Sequence, residues 1–304
     1  METVQRVAKE IPTSSLNILQ LVHIGAKDKW IPALVEAISS SSVRKVDLTF
    51  NRIQADGAQT LANLLRRFAL NALLLGRNDV GSKGAVSIAD AIRDSPESVK
   101  NLDLRMNSVD DAGLSSLIQA SQGSALESLQ LDSNDFSNEA VRNALLCLSR
   151  PGSRIQALSL GKNHLNDSCL ETVKCLGALQ KLGLSNNDLS DLGLVHLATS
   201  VIPASLHLEV LDLRNNPWIG GNDAMALLLT NVRTHRSLKT VLLQGTRVSK
   251  ELLNMLEKTL AGLHSERAVL MTIIASAKTI PRLGSASSIQ VLPKELLGVL
   301  ATML

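Results

Sequence analysis

Residues 73–92 read LLLGRNDVGSKGAVSIADAI, and the two halves of this stretch predict two different elements. Leu73 and Leu75 are two residues apart, so both side chains point to the same face of a short strand. Asn78 follows where the strand ends, and its side-chain amide is suited to bond backbone groups that have left the strand ladder. The second half places small and apolar residues at the three-and-four spacing of a helix, namely Gly84, Ala85, Ile88, Ala89 and Ile92.

The same strand-and-helix unit recurs along most of the chain. Val241-Leu243-Thr246 is a degenerate last copy, and Leu19-Leu21-Ile24 is a weaker copy before the first. The steps between successive closing residues, from Asn51 to Thr246, are 27, 29, 27, 29, 24, 29 and 30 residues. The 24-residue step, which follows Asn163, predicts a shortened helical half and a local irregularity. The full copies are Val46-Leu48-Asn51, Leu73-Leu75-Asn78, Leu102-Leu104-Asn107, Leu129-Leu131-Asn134, Leu158-Leu160-Asn163, Leu182-Leu184-Asn187 and Leu211-Leu213-Asn216.

Repetition of this unit predicts the architecture. The helix returns the chain so that the next strand lies parallel to the last one. Helices are wider than strands, ~10 Å against ~4.8 Å, so stacked units must curve with the strands inside. The expected fold class is therefore α/β, a right-handed solenoid in the form of a horseshoe, with parallel strands on the concave face and helices on the convex face. The pattern resembles the ribonuclease-inhibitor type of leucine-rich repeat over roughly residues 18–262.

The two ends depart from the repeat, and we expect them to cover the outermost core layers. Residues 1–40 are interpreted as an N-terminal cap that includes the degenerate repeat, residues 41–262 as leucine-rich repeats, and residues 263–304 as a C-terminal helical cap. Residues 292–297 (LPKELL) resemble the opening of an F-box, and residues 289–304 resemble the end of a suppressor-of-cytokine-signalling box. Two readings of the tail stay open: a capping helix, or a docking helix for a ubiquitin ligase.

Composition limits the class of protein and its partners. Hydrophobic residues make up 45% of the chain and aromatic residues 2%, so the core is predicted to be aliphatic. The net charge of +3 comes without a basic run interleaved with aromatic residues, so we expect no nucleic-acid partner. No apolar stretch reaches ~18 residues and the first residues lack a secretory signal, so we expect a cytoplasmic protein without membrane contact. Three cysteines without framework spacing fit reduced thiols.

Catalytic and metal-binding motifs are missing from the sequence, so we expect no enzyme activity, no cofactor and no metal site. Cys169 and Cys175 fall in the helical half of one repeat, and both are predicted to be buried. Trp218 follows a closing asparagine and is interpreted as a plug that fixes its loop to the core, rather than as an exposed anchor.

The side chains between and beside the paired leucines point away from the core and line the concave face. The motif Asp-Leu-Arg occurs twice, at residues 103–105 and 212–214, and places an acid beside a base on two strands. Small side chains fill the stretch between these positions, at residues 157–185. The plainer alternative to a binding role is that each aspartate pairs with its arginine in water. The predicted protein-binding residues are Asp47, Asp103, Arg105, Asp132, Lys181, Asp212 and Arg214.

These features predict a monomeric scaffold that binds another protein on its concave face. Two alternatives stay open. One is a GTPase activator, since the repeat resembles that of Ran GTPase-activating protein, although this chain lacks a long acidic carboxyl tail and has fewer repeats. The other is a ubiquitin-ligase substrate receptor, in which the horseshoe recognises the substrate and the tail docks on the ligase scaffold.

Overall fold

A computed structural model gives the structure of Ile11 and of residues 16–279, with side chains described up to residue 263 and at residue 265. The chain forms two compact units, Met1–Leu260 and Ala261–Leu304. In the described part of the first unit, nine strands form one parallel sheet in which each strand pairs with the next along the chain. The strands are β1 (Ile18–Gln20), β2 (Lys45–Asp47), β3 (Leu70–Leu74), β4 (Val99–Asp103), β5 (Ser128–Gln130), β6 (Ala157–Ser159), β7 (Lys181–Gly183), β8 (Val210–Asp212) and β9 (Thr240–Leu242).

A helix or a helical turn follows each strand. Polar residues fix several helix starts: Asp110 accepts a hydrogen bond from Gly113 N at 3.0 Å, and Ser137 accepts one from Ala140 N at 3.1 Å. Short 3-10 turns stand at Asp28–Trp30 and Asp167–Cys169. The α-helices of more than one turn are α1 (Ile31–Ser39), α2 (Ala55–Leu65), α3 (Gly81–Asp94), α4 (Asp111–Ser121), α5 (Asn138–Leu148), α6 (Asp191–His196), α7 (Asn222–Thr234) and α8 (Lys250–Thr279), and Ile202–Ala204 adds a short α-helical segment.

This arrangement confirms the predicted solenoid, with strands on the concave face and helices on the convex face of the first unit. Its core is a continuous aliphatic spine between the two layers. The first strand leucines lie in register, for example Leu129 with Leu158. The second leucines of four successive repeats are wholly buried, at Leu104, Leu131, Leu160 and Leu184. Burial of such a side chain contributes about 1.5–3 kcal/mol, so the spine supplies most of the driving force for folding.

The closing asparagines form the predicted internal ladder. Asn134 is typical: its Nδ2 donates to the carbonyl oxygens of Leu104 and Leu131, at 2.9 and 3.0 Å. Its Oδ1 accepts from the backbone N–H groups of Asn107 and Val109, at 3.1 and 3.0 Å. Each asparagine thus joins two repeats by satisfying buried backbone groups that no strand partner reaches.

The repeat after Asn163 is irregular, as its 24-residue length predicts. It contains only the 3-10 turn Asp167–Cys169 in place of a helix. The next repeat compensates: its helix α6 continues as a π-helical turn, Leu197–Val201, and then Ser205 Oγ accepts a hydrogen bond from Leu176 N at 3.0 Å. A widened helix in one repeat therefore fills part of the space that the short repeat leaves.

Some sequence-based predictions concern residues that lie outside the described part of the chain. The first ten residues, residues 12–15 and residues 280–304 lie outside the described part. The predicted docking segment, residues 289–304, is among them. One expectation inside the described part is wrong: Cys175 is half-buried rather than buried, because the shortened repeat provides no helix to hold it inside.

Candidate functional site

The strands β5 to β8 and the residues that directly follow β2, β3 and β4 line an open groove of about 540 Å³ on the concave face. We call it the sheet groove. It extends from Thr49 and Arg77 at one end to Val210 and Arg214 at the other. Five of the seven predicted binding residues line it, namely Arg105, Asp132, Lys181, Asp212 and Arg214. Asp47 and Asp103 do not.

Asp103 lies beneath Arg105 rather than in solvent. Its side chain is 2% exposed, whereas that of Arg105 is 47% exposed. Arg105 donates to both carboxylate oxygens, from Nε at 3.0 Å and from Nη2 at 2.8 Å. Hydrogen bonding to the Asp103 carboxylate raises the pKa of Arg105, and desolvation opposes the rise. The prediction that Asp103 faces solvent is therefore wrong, because the guanidinium folds back over it.

The second copy of the motif has the same geometry with less burial. Arg214 donates to Asp212 from Nε at 2.9 Å and from Nη2 at 2.7 Å. The Asp212 side chain is 16% exposed and that of Arg214 is 49% exposed. The bond to Asp212 raises the pKa of Arg214. Both arginines are thus neutralised by the aspartate of their own strand, as the plainer interpretation of the motif expects.

The other predicted residues differ in their surroundings. Asp47 accepts from the backbone N–H of Thr49 at 3.0 Å and lies beyond the sheet groove. Asp132 Oδ1 accepts from Ser159 Oγ at 2.6 Å and from Gly161 N at 2.8 Å. Lys181 is exposed and forms no ion pair with any residue that the structure describes. It is the predicted residue whose charge is most available to a partner.

The small residues of the sheet groove have a structural role. A Cβ at Gly161 would lie 2.6 Å from Asp132 Oδ1, and a Cβ at Gly76 would lie 2.9 Å from Asp103 Oδ2. Each glycine therefore makes room for the carboxylate of a neighbouring strand. The sequence shows the glycines, but it does not show which side chain occupies the space above them.

A row of left-handed residues borders the sheet groove and was not predicted. One residue per repeat, directly before the closing position, has φ between 54° and 59°. Its backbone N–H donates to the next repeat, as Phe50 N does to Gly76 O at 2.8 Å. The sequence signals the left-handed conformation only at the copies that place asparagine or glycine directly before the closing residue, such as Asn186 and Asn215. The row consists of His23, Phe50, Arg77, Met106, Ser133, Lys162, Asn186 and Asn215.

Trp218 is 52% exposed, so the prediction that it plugs its loop against the core is wrong. The neighbouring Ile219 is buried and takes that role. The loop is held in place by Asp191, whose Oδ1 accepts from the N–H groups of Gly220 and Gly221 at 2.8 and 2.9 Å. The guanidinium of Arg247 lies 4.8 Å from the centre of the Trp218 ring.

The described residues offer little for chemistry. Among them, no cluster of His, Cys, Asp or Glu has the arrangement of a metal site. None of the helices described combines the length and apolar character needed to span a bilayer. Burial raises the pKa of the Cys169 thiol to about 12, and the nearby Asp167 adds to the rise. A thiol with such a pKa is almost fully protonated at neutral pH and is a poor nucleophile.

Cys169 is expected to resist alkylation in the folded protein, whereas the half-buried Cys147 and Cys175 react. At pH 8 a thiol of pKa about 12 has a thiolate fraction of about 10⁻⁴, and burial reduces access further. Iodoacetamide treatment followed by tryptic mass spectrometry measures each site, because Lys174 separates Cys169 from Cys175. The same reaction in guanidinium chloride is the control, in which all three cysteines are modified. Equal labelling rates for Cys169 and Cys175 in the folded protein would contradict the structure.

Parallel strands, a buried asparagine ladder and an outer layer of helices define a leucine-rich-repeat solenoid. Comparison with known sequences agrees. A family model for the leucine-rich repeat matches residues 39–62, 96–117 and 204–228. The chain is 30% identical over 220 residues to NACHT, LRR and PYD domains-containing protein 5 of Homo sapiens. It is 31% identical over 180 residues to the ribonuclease inhibitor of Sus scrofa. The chain is a leucine-rich-repeat protein of the ribonuclease-inhibitor type.

The matches are partial with respect to the relatives. They cover 69% of this chain but 18% of the human protein, and 57% of this chain but 39% of the pig inhibitor. Among solved structures, the yeast Rad7 and Elc1 complex contains a chain that matches with a TM-score of 0.54 at 15% identity. That match covers 85% of this chain and 70% of the other, and it shows the shared fold. Leucine-rich-repeat proteins generally act by binding other proteins, on the extended surface that stacked repeats provide.

Proposed function

We propose that this protein is a scaffold that binds a partner protein in the sheet groove. The observation that carries the proposal is the charge balance of the groove. Arg105 and Arg214 are neutralised by Asp103 and Asp212 of their own strands. Lys181 has no carboxylate partner among the described residues, and the same is true of Arg77. Outside these two pairs the groove is lined by two cations and one carboxylate, that of Asp132, so its net charge is +1 and a partner with carboxylates complements it.

The size and form of the groove also favour a protein partner. It extends across the repeats of β3 to β8 and is open to solvent. At ~4.8 Å between neighbouring strands, five spacings extend about 24 Å. Compact ligand pockets bury most of a small molecule, whereas an open groove of this length suits an extended segment.

The two alternative functions, GTPase activation and recruitment of a ubiquitin ligase, remain predictions. GTPase activation is supported by the repeat type alone. Recruitment of a ubiquitin ligase depends on residues 289–304, which lie outside the described part of the chain. The cytoplasmic location and the monomeric state likewise remain predictions.

A photo-cross-linking residue at Gln130, inside the groove, is expected to capture a partner in cells. The same residue at Gln119, exposed on α4 of the convex face, is not expected to capture it. With the captured partner purified, Lys181→Glu is expected to weaken binding about ten-fold, because it reverses an unneutralised charge. Lys174→Glu is the matched control, since Lys174 is exposed and does not line the groove. A partner that cross-links equally at both positions, or that binds both variants equally, would show that the groove is not the binding site.

A further inference from the structure

Three residues of the left-handed row stand out by their type. Phe50 and Met106 are each 41% exposed, and Arg77 between them is also exposed. We call Phe50, Arg77 and Met106 the rim triad. Their φ angles are 59°, 56° and 54°. The repeat dictates this backbone conformation, because the same N–H bonds recur at every copy.

The left-handed conformation disfavours such side chains. Glycine and asparagine tolerate it best, and bulky residues in it are outliers. Three of the six other copies use the tolerant types: Asn186 and Asn215 occupy the same position in two later repeats, and Gly245 precedes Thr246 at φ 77°. The rim triad therefore carries a conformational cost that asparagine would avoid.

Burial does not compensate for this cost, since the side chains are exposed. The Phe50 ring contacts His23 and Arg77 instead. The ring of His23 meets the ring of Phe50 edge-on, with centroids 4.3 Å apart and an interplanar angle of 76°. On the following repeat, Arg77 places its Cζ 5.4 Å from the centre of the Phe50 ring. The aromatic ring is thus held between two neighbours and needs little further ordering to bind.

The rim triad is continuous with the sheet groove. Arg77 and Met106 line the groove, and so does Thr49, the residue that precedes Phe50. Aromatic and arginine side chains are the usual anchors of protein interfaces. Arg77 lacks a carboxylate partner among the described residues. A carboxylate of a bound protein would therefore form a charge-assisted hydrogen bond with its guanidinium.

We infer that the rim triad is the anchor for an extended acidic segment of the partner protein, in which an apolar side chain covers Phe50 and Met106 and an adjacent carboxylate pairs with Arg77. This inference rests on the proposed function. It also predicts the spacing between two carboxylates of the partner segment. Lys181 is four strands away from Arg77, about 19 Å, and its register partner on β3 is Ala72, five residues before Arg77, which adds about 16 Å along the strand direction. The two residues are therefore about 25 Å apart, a distance that about eight residues of extended chain span. A second carboxylate at that distance reaches Lys181.

The probe is a fluorescein-labelled peptide of about ten residues. It begins with phenylalanine and glutamate and carries a second glutamate about eight residues after the first. One comparison peptide has lysine in place of both glutamates, and another has serine in place of phenylalanine. Fluorescence anisotropy is expected to show saturable binding of the first peptide, with the other two about ten-fold weaker or worse. Equal affinity for the three peptides would overturn the inference, as would no binding of the first.

The decisive variant replaces the rim triad by asparagine: Phe50→Asn, Arg77→Asn and Met106→Asn together. This variant is expected to bind the acidic peptide about ten-fold more weakly, or weaker still. Its Tm is expected to stay unchanged or to rise by about 2 °C, because asparagine suits the left-handed backbone. A clear fall in Tm would show that the triad serves stability, and would overturn the inference. The matched control is Trp218→Asn with Arg247→Asn, which removes another exposed ring and its stacked cation outside the groove and should leave peptide affinity unchanged.

The two proposals fail in different ways. If the cross-linked partner loses affinity on Lys181→Glu but binds the triad variant normally, the sheet groove is the site and the anchor inference is wrong. If the partner is insensitive to both changes, the proposed function fails as well. Arg77→Glu alone, which leaves Phe50 and Met106 in place, should give a loss of about ten-fold, and no loss would contradict the anchor.

Discussion

Replacing Asn163 by leucine is expected to lower the free energy of unfolding by about 4 kcal/mol, because several buried backbone groups would lose their partners. Its Nδ2 donates to the carbonyl oxygens of Leu131, Leu160 and Gly161, at 3.2, 2.9 and 3.1 Å. Its Oδ1 accepts from the N–H groups of Asn134 and Asp135, at 2.9 and 2.8 Å. Leucine supplies neither donor nor acceptor, and the site is closed to water because Asn163 is 1% exposed.

Urea denaturation followed by circular dichroism measures the change, and hydrogen exchange locates it. Protection is expected to fall first at the N–H groups of Asn134 and Asp135, which bond the lost oxygen. Asn143→Leu is the matched control, since Asn143 is exposed on α5, and its effect should stay within about 0.5 kcal/mol. Similar unfolding midpoints for the two variants would mean that the asparagine ladder contributes little to stability.

The ladder shows which part of the fold the sequence could predict. Two leucines at period two and an asparagine three residues later fix the strand, its buried face and its end, and the periodic recurrence then fixes the stacking. Even the weak copies fold as expected: Leu19 lies on β1, and Thr246 closes the last repeat with a hydrogen bond from its Oγ1 to Leu243 O at 2.7 Å. These features depend on local spacing, which is written in the chain.

The surface was harder to predict because it depends on how side chains of neighbouring repeats share space. Alternation correctly places Asp103 and Asp212 on the concave face, but it carries no information on whether an arginine folds over them. Trp218 shows a related error. Its repeat has one extra residue before the buried Ile219, so the position that plugs the core moves by one and the tryptophan is left outside. Register within a loop, unlike register within a strand, is set by packing that a single repeat does not reveal.

The left-handed row gives a third reason why parts of the surface could not be predicted from the sequence. The turn requires a positive φ at the residue before each closing asparagine. Glycine or asparagine at this position indicates that φ from the sequence, but only some repeats have one of these two residues there. Where the residue is Phe50 or Met106, the sequence resembles an ordinary core position. Only the backbone angles and the exposure together show that these side chains are held outward.

Asp103→Lys is expected to lower the free energy of unfolding by about 3–5 kcal/mol, since it places a cation beneath Arg105 in a site that excludes water. Asp103 accepts from three donors of one residue, namely the backbone N, Nε and Nη2 of Arg105, at 3.0, 3.0 and 2.8 Å. The lysine would lose all three bonds and set like charges against each other. Its longer chain would also overlap the space that Gly76 leaves for the carboxylate.

The same substitution in the second motif provides the control. Asp212 accepts the same bonds from Arg214, but its side chain is 16% exposed against 2% for Asp103. Water can screen the new charge there, so Asp212→Lys is expected to cost about 1 kcal/mol. Urea midpoints of the two variants measure the difference, and equal shifts would show that burial of Asp103 beneath Arg105 does not matter. The comparison also decides how the concave face can be probed. Charge reversal at Asp212 therefore tests the proposed binding site at little cost in stability, whereas charge reversal at Asp103 lowers the stability of the fold itself.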